Sequence, residues 1–223
     1  GSTSPSASPS GRSAAYWEAP LAYDPNDHMV IYAFRDAVWR SDDFTANHTQ
    51  LGNPGTISGD IWHAEIALNN SDIMIVSRGS AIEKSTDGGV TFTSIRSNLP
   101  NSSILDIAFD PNDDDVIFVV YARYQADNSK VWMTTNGGAS WTNITYNLGS
   151  MPIRSIVIDH TDSSHIYLGA EIGVYTMPMG STNWSLYNRG LPNMTVKELE
   201  IVYGTNTLRA ATWGRGLWEY SLV

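Results

Sequence analysis

Ser85-Thr86-Asp87-Gly88-Gly89-Val90-Thr91-Phe92 returns 49 residues later as Thr134-Thr135-Asn136-Gly137-Gly138-Ala139-Ser140-Trp141. The two copies read as one hairpin turn used twice. In each, the short polar side chain at the third position can accept hydrogen bonds from the turn's own backbone, and the glycine pair supplies positive φ at little steric cost. The aromatic three residues past the second glycine then fastens the turn to its sheet. The expected structural set is Ser85, Asp87, Gly89 and Phe92 in one copy and Thr134, Asn136, Gly138 and Trp141 in the other.

Outward from these turns the whole chain repeats. Each pass runs through an apolar strand, an Asx-rich turn, a second apolar strand and a third strand that enters the glycine turn. The Asx turns at Asp24, Asn69, Asp110 and Asp159 are spaced by 45, 41 and 49 residues, which is the length of one four-stranded propeller blade. The first pass has a degenerate turn, keeping Ser41 and Asp43 but neither glycine, and the fourth has a bent one ending on Trp184. A fifth pass, Val196 to Leu222, has three strands and no fourth. The opening strands are apolar almost without interruption, as expected where both faces of a sheet are covered.

The expectation is an all-β propeller of about five repeats, four complete and the last three-stranded, over residues 15–223. The repeats fall at about 17–52, 57–100, 103–149, 152–192 and 195–223, and the propeller is complete in itself or part of a larger one. Residues 1–14 are Ser/Pro-rich and read as a flexible linker or tag. That segment is too poor in β formers to donate a closing strand, so an upstream domain or a second chain is a candidate to complete the ring.

Composition narrows the function. With 42% hydrophobic residues the chain can bury a core, and a formal charge of −10 with only 13 Lys and Arg excludes a basic stripe for nucleic acid or an anionic membrane. There is no cysteine, hence no disulfide and no thiolate chemistry. No apolar run is long enough to insert in a membrane. No cofactor is expected. The acidic turns Asp24 to Asp27 and Asp110 to Asp115 could supply oxygen ligands to calcium, but without EF-hand spacing.

The pattern S/T-x-D/N-x-G-x-x-W/F resembles the Asp-box turn of bacterial neuraminidase-like repeats, and the chain is most similar to the sortilin-like and xyloglucanase-like members. Arg209 to Tyr220 resembles the closing strand pair of secreted bacterial proteins built from such repeats. The resemblance implies a secreted or cell-surface propeller whose boxes are staples remote from any site. Function would then sit at the other end of the ring, on Trp17 and Glu18, Arg35 and Asp36, Asp60 to His63, Arg78, Tyr121 to Asn128, Arg154, Glu171 and Trp213 to Arg215. Arg35, Trp62, His63, Arg78, Arg154, Trp213 and Arg215 are the expected binding residues, because aromatic faces and planar donors suit a sugar or a carboxylate.

A recognition module for carbohydrate, or else protein, within a larger secreted or surface protein is the first expectation. A glycoside hydrolase and a purely structural repeat are the alternatives. For the hydrolase, Ile31 to Asp36 resembles the xyloglucanase Y-A-R-T-D segment and Ile166 to Tyr175 its T-D-I-G-x-Y. That makes Asp36 and Glu171 the candidate catalytic pair. The arginine signature of a sialidase, F/Y-R-I-P, is absent.

Overall fold

The structure is a computed structural model that describes residues 19–44, 46–55, 57, 59–121 and 128–222. The expectations for residues 1–14, Trp17, Glu18 and 122–127 lie outside these residues. Five antiparallel sheets form a ring. Blade 1 holds β1 (Leu21–Tyr23), β2 (Ile31–Phe34), β3 (Val38–Ser41) and β4 (Thr49–Gln50), and blade 2 holds β5 (His63–Ile66), β6 (Met74–Arg78), β7 (Ala81–Ser85) and β8 (Thr93–Ser94). Blade 3 holds β9 (Ile104–Asp110), β10 (Asp113–Tyr121), β11 (Val131–Thr134) and β12 (Thr142–Asn143), and blade 4 holds β13 (Ile153–Ile158), β14 (His165–Ala170), β15 (Gly173–Pro178) and β16 (Ser185–Leu186). Blade 5 has three strands, β17 (Val196–Val202), β18 (Thr207–Thr212) and β19 (Gly216–Ser221). Among the described residues the one helical element is a single 3-10 turn, Tyr203–Thr205, and no described helix is long and apolar enough to cross a membrane.

The continuous apolar strands are explained by the way blades stack. Side chains alternate across a strand, and in the second strands both sets are apolar and both are used. Met74 and Val76 pack back on Phe34 and Val38 of blade 1, while Ile75 between them packs forward with Ile107 and Val119 of blade 3. Phe118 and Val120 meet Ile156 and Leu168 of blade 4, and Tyr167 meets Leu199 and Leu208 of blade 5. Four such cores join five blades in sequence. Among the described residues no fifth core joins blade 5 back to blade 1.

Polar turns reinforce the same seams. Ser85 Oγ accepts from the Gly89 amide at 2.9 Å and Asp87 accepts the Val90 and Thr91 amides at 3.1 and 2.8 Å. Together with the Thr91 and Ser85 hydroxyls these bonds hold the Asp87 carboxyl down at about 2. The second turn repeats the bonds through Thr134 and Asn136. Gly138, at φ 93°, is required twice over, since a Cβ there would stand 2.5 Å from Cβ of Ile95 in the preceding blade. In blade 1, where both glycines are lost, Asp43 still accepts the Asn47 amide at 2.8 Å, and Phe44 takes up the left-handed φ of 54°.

The Asx turns, at the ring end shared with the glycine turns, link blades as well. Asn26 Nδ2 donates to Ser71 Oγ at 2.8 Å, Asn69 Nδ2 donates to the Pro111 carbonyl at 2.6 Å, and Asn112 Nδ2 donates to Ser163 Oγ at 2.8 Å. The hydroxyls of Ser71 and Ser163 in turn donate to Asp24 and Asp110. These acidic turns, weighed above as calcium ligands, therefore spend carboxylate oxygens on their own backbone and on the next blade. No group of three or more His, Asp or Glu among the described residues is arranged to hold a metal ion.

Candidate functional site

Antiparallel order sends the loops between second and third strands, and those entering each innermost strand, to the end of the ring away from the glycine turns. Arg35 and Asp36 lie between β2 and β3, Glu171 between β14 and β15, and Trp213 and Arg215 between β18 and β19. Arg78 closes β6 and Arg154 is the second residue of β13. This end carries two constellations. At the mouth of blade 2 the Arg78 guanidinium lies over the Trp62 ring, 5.6 Å from its centroid, in space that Gly59 leaves by having no Cβ. At blades 4 and 5, Arg154 pairs with Glu171 at 3.5 Å, and Trp213 stands 72% exposed, with Ile172 and Leu217 exposed on the same two blades. Lys197 lies over the Trp213 ring at 4.8 Å, and the Trp213 amide donates to the Thr195 carbonyl at 2.9 Å. The ring is thus held out from the protein with one face propped.

His63 and Arg215 stand differently. His63 shares a sheet face with Ser77 and Ile82, which turns it toward blade 3, and it donates to the Ile104 carbonyl. Burial holds its imidazole below the usual histidine range. Arg215 is exposed and gives its carbonyl to Trp218 Nε1 at 3.1 Å. Asp36 and Glu171 sit in blades 1 and 4, with two blades between them one way round the ring and one blade the other.

A cavity lies elsewhere in the ring. With a volume of about 360 Å³, it occupies the ring axis toward the Asx-turn end, walled by Tyr23, Glu65, Asp106, Ile156, Leu199 and Tyr203 among others, with all five innermost strands taking part. None of the rim residues named from the sequence lines it. Glu65 and Asp106 present part of their surface to this roomy channel but are surrounded by protein, and both carboxyls are shifted upward by desolvation. Glu65 reaches about 8, with Asp106 as its next cause, and Asp106 reaches about 7, with Glu198 adding to it. Each also has a structural task. Glu65 accepts the Phe109 amide of blade 3, and Asp106 accepts the Ile156 amide of blade 4 at 2.9 Å. The innermost strand of a blade is a sheet edge whose amides lack ladder partners, and a carboxyl from the preceding blade caps one of them.

The repeat register carried the signal for these groups. Glu65 and Asp106 stand four residues before the Asx turns at Asn69 and Asp110, and Ser155 stands four before Asp159.

No family model and no curated protein sequence matches the chain. Solved structures do match. An ancestral GH74 enzyme superposes at TM-score 0.69 with 23% identity, over 87% of this chain and 27% of that one. The GH74 enzyme of Niastella koreensis superposes at TM-score 0.67 with 18% identity, over 89% of this chain and 37% of that one. The GH74 xyloglucanase of Xanthomonas campestris superposes at TM-score 0.68 with 16% identity, over 90% and 36%. The chain thus spans about a third of the length of the enzymes it resembles. At these identities the likeness establishes the fold, a β-propeller of the kind found in those glycoside hydrolases.

Proposed function

We propose that this chain is a non-catalytic recognition module of a secreted or cell-surface protein, and that it holds a polysaccharide on the ring end bearing Trp213, without cleaving it. The observation that carries the reading is Trp213 itself. Folding leaves this indole 72% exposed and fixed at its backbone and one face. An exposed, immobilised aromatic plane loses little entropy when a sugar ring stacks on it. The Arg154–Glu171 pair, on the same end of the ring, offers donors and acceptors for hydroxyl groups. The GH74 neighbours, one of them a xyloglucanase, make β-glucans the first polysaccharides to try. The reading calls on no cofactor.

Affinity gel electrophoresis on xyloglucan, other plant β-glucans and mucosal glycans tests it. Retardation by at least one polysaccharide is expected. Trp213→Ala should weaken binding about tenfold or more, the loss of one stacking platform, with the melting temperature unchanged because the ring covers no core. Markedly lower stability with binding intact makes Trp213 a structural plug and removes the site. The second reading, hydrolysis, has the names of the neighbours in its favour and requires Asp36 and Glu171 to act together. Canonical two-carboxylate hydrolysis needs the pair about 5–9.5 Å apart. Release of reducing sugar that disappears in both Asp36→Asn and Glu171→Gln would replace the recognition reading with this one.

A further inference from the structure

The two faces of blade 1 are unlike. On one, Ala22, Tyr32 and Phe34 pack into the core shared with blade 2. On the other, Leu21 pairs with Ala33 and Ala33 with Trp39, while Tyr23 pairs with Ile31, so five apolar side chains share one surface. None of the five belongs to a core cluster, and Leu21 and Tyr23 are 72% and 61% exposed. Phe44 extends the patch, its ring 6.1 Å from that of Tyr23 and 51% exposed. Soluble monomers seldom leave a contiguous apolar surface of this kind uncovered.

In a closed ring blade 5 would cover it, and blade 5 is the wrong partner. Its outward face carries Glu198, Glu200 and the Arg209–Glu219 pair, whose ionic contact is 2.7 Å. Pressing those charges onto Leu21 and Tyr23 would desolvate them with no compensating partner. This mismatch accounts for the missing fifth core.

We propose that this face of blade 1 is a self-association surface, joining two copies of the chain about a two-fold axis. A two-fold interface brings a surface against itself, so it must be self-complementary. The Leu21–Tyr23–Ile31–Ala33–Trp39 face has no charged side chain and satisfies that condition. Blade 5 does not, since Glu198, Glu200 and Glu219 outnumber Arg209 on its outward face, so that face repels a copy of itself and leaves Leu217 among charges, which disfavours head-to-tail chains. With a net charge of −10 on each copy, added salt should tighten the pair by screening the repulsion between the two bodies, whereas an interface of ion pairs would loosen.

Sedimentation velocity over a range of protein concentrations, at low and moderate salt, tests this on the chain as it stands. A reversible dimer is expected that strengthens with salt. Leu21→Lys and Tyr23→Glu should each weaken it about tenfold or more, with far-ultraviolet circular dichroism and melting temperature preserved because both side chains are exposed. Leu217→Lys, on the outward face of blade 5, should leave dimerisation unchanged. A parent chain that stays monomeric throughout overturns the proposal. So does a dimer indifferent to both blade 1 substitutions, or one lost in Leu217→Lys.

Discussion

Raising the pH from 6.5 to 8 should lower the melting temperature of this protein, and Glu65→Gln should remove most of the decline. Glu65 titrates at about 8 in the fold against 4.5 for an unburied glutamate, and Asp106 at about 7 against 3.8. Across the stated interval the folded chain therefore binds more protons than the unfolded one, and stability must fall as pH rises. Stability from these two groups is greatest below their unfolded values and is exhausted above about 8. His63, with its depressed value, acts in the opposite sense, but only below its unburied value of 6.5, which is why the interval starts there.

Each pH unit crossed by one such group is worth about 1.4 kcal/mol. The interval then removes about 2 kcal/mol, or roughly 4–8 °C of melting temperature for a chain of this size. Glu65 faces Asp106 and the Tyr203 ring, which Glu200 also faces, and Glu198 faces Asp106, so ionisation meets repulsion. Glutamine keeps the acceptor for the Phe109 amide while having no proton to lose. A melting temperature that is flat or rising over the interval in the parent chain, measured by calorimetry in buffers of matched ionic strength, would rule out this account of the axis.

The same carboxyls show how far the sequence could be read. The blades were legible because their cause is local and repeated. Alternate residues such as Met74 and Ile75 must both be apolar when both faces are covered, and glycines such as Gly138 must stand where φ is positive. Glu65 and Asp106 were overlooked because a lone acid in an apolar strand suggests an exposed position. Only the ring geometry, which leaves the innermost strand's amides without ladder partners, gives an acid work to do there. The seam was partly legible. The three-stranded fifth blade could be seen, but the contrast between Leu21 and Tyr23 on one side and Glu198 and Glu200 on the other needs the strand register that assigns them to faces. On the rim, Arg78 and Trp62 were both named from the sequence, whereas their stacking is a property of the fold.

Trp141→Ala should cost about 3–5 kcal/mol, the penalty for removing a fully packed large aromatic, and should be the most damaging single substitution in the glycine-turn set. Trp141 is 4% exposed within the core between blades 2 and 3, and its indole Nε1 donates to the Ile95 carbonyl at 2.8 Å. Its amide donates to Asn98 Oδ1 at 2.9 Å, and Asn98 Nδ2 donates back to the Trp141 carbonyl at 2.8 Å. A blade 3 turn is thereby tied to blade 2 at three points. The same three bonds recur one blade on, where Trp184 donates to the Ile144 carbonyl at 2.9 Å and exchanges two bonds with Asn147. Blade 5 has no fourth strand and hence no such turn, and at the position after β16 that matches Asn98 and Asn147 the chain carries Gly190. The asparagine is present where a tryptophan turn follows, which marks the pair as a device for joining blades.

Trp141→Phe separates the components, because it retains most of the packing while leaving the Ile95 carbonyl without its donor, a loss of about 1–3 kcal/mol. Asn98→Ala should fall in the same range, since it unpairs one backbone amide and one carbonyl. Equilibrium urea unfolding, with the slope checked for constancy, measures all three. If Trp141→Ala costs less than about 1 kcal/mol, the range of an ordinary substitution, then the aromatic does not anchor the turn. The stability of the ring would in that case have to come from the blade faces alone.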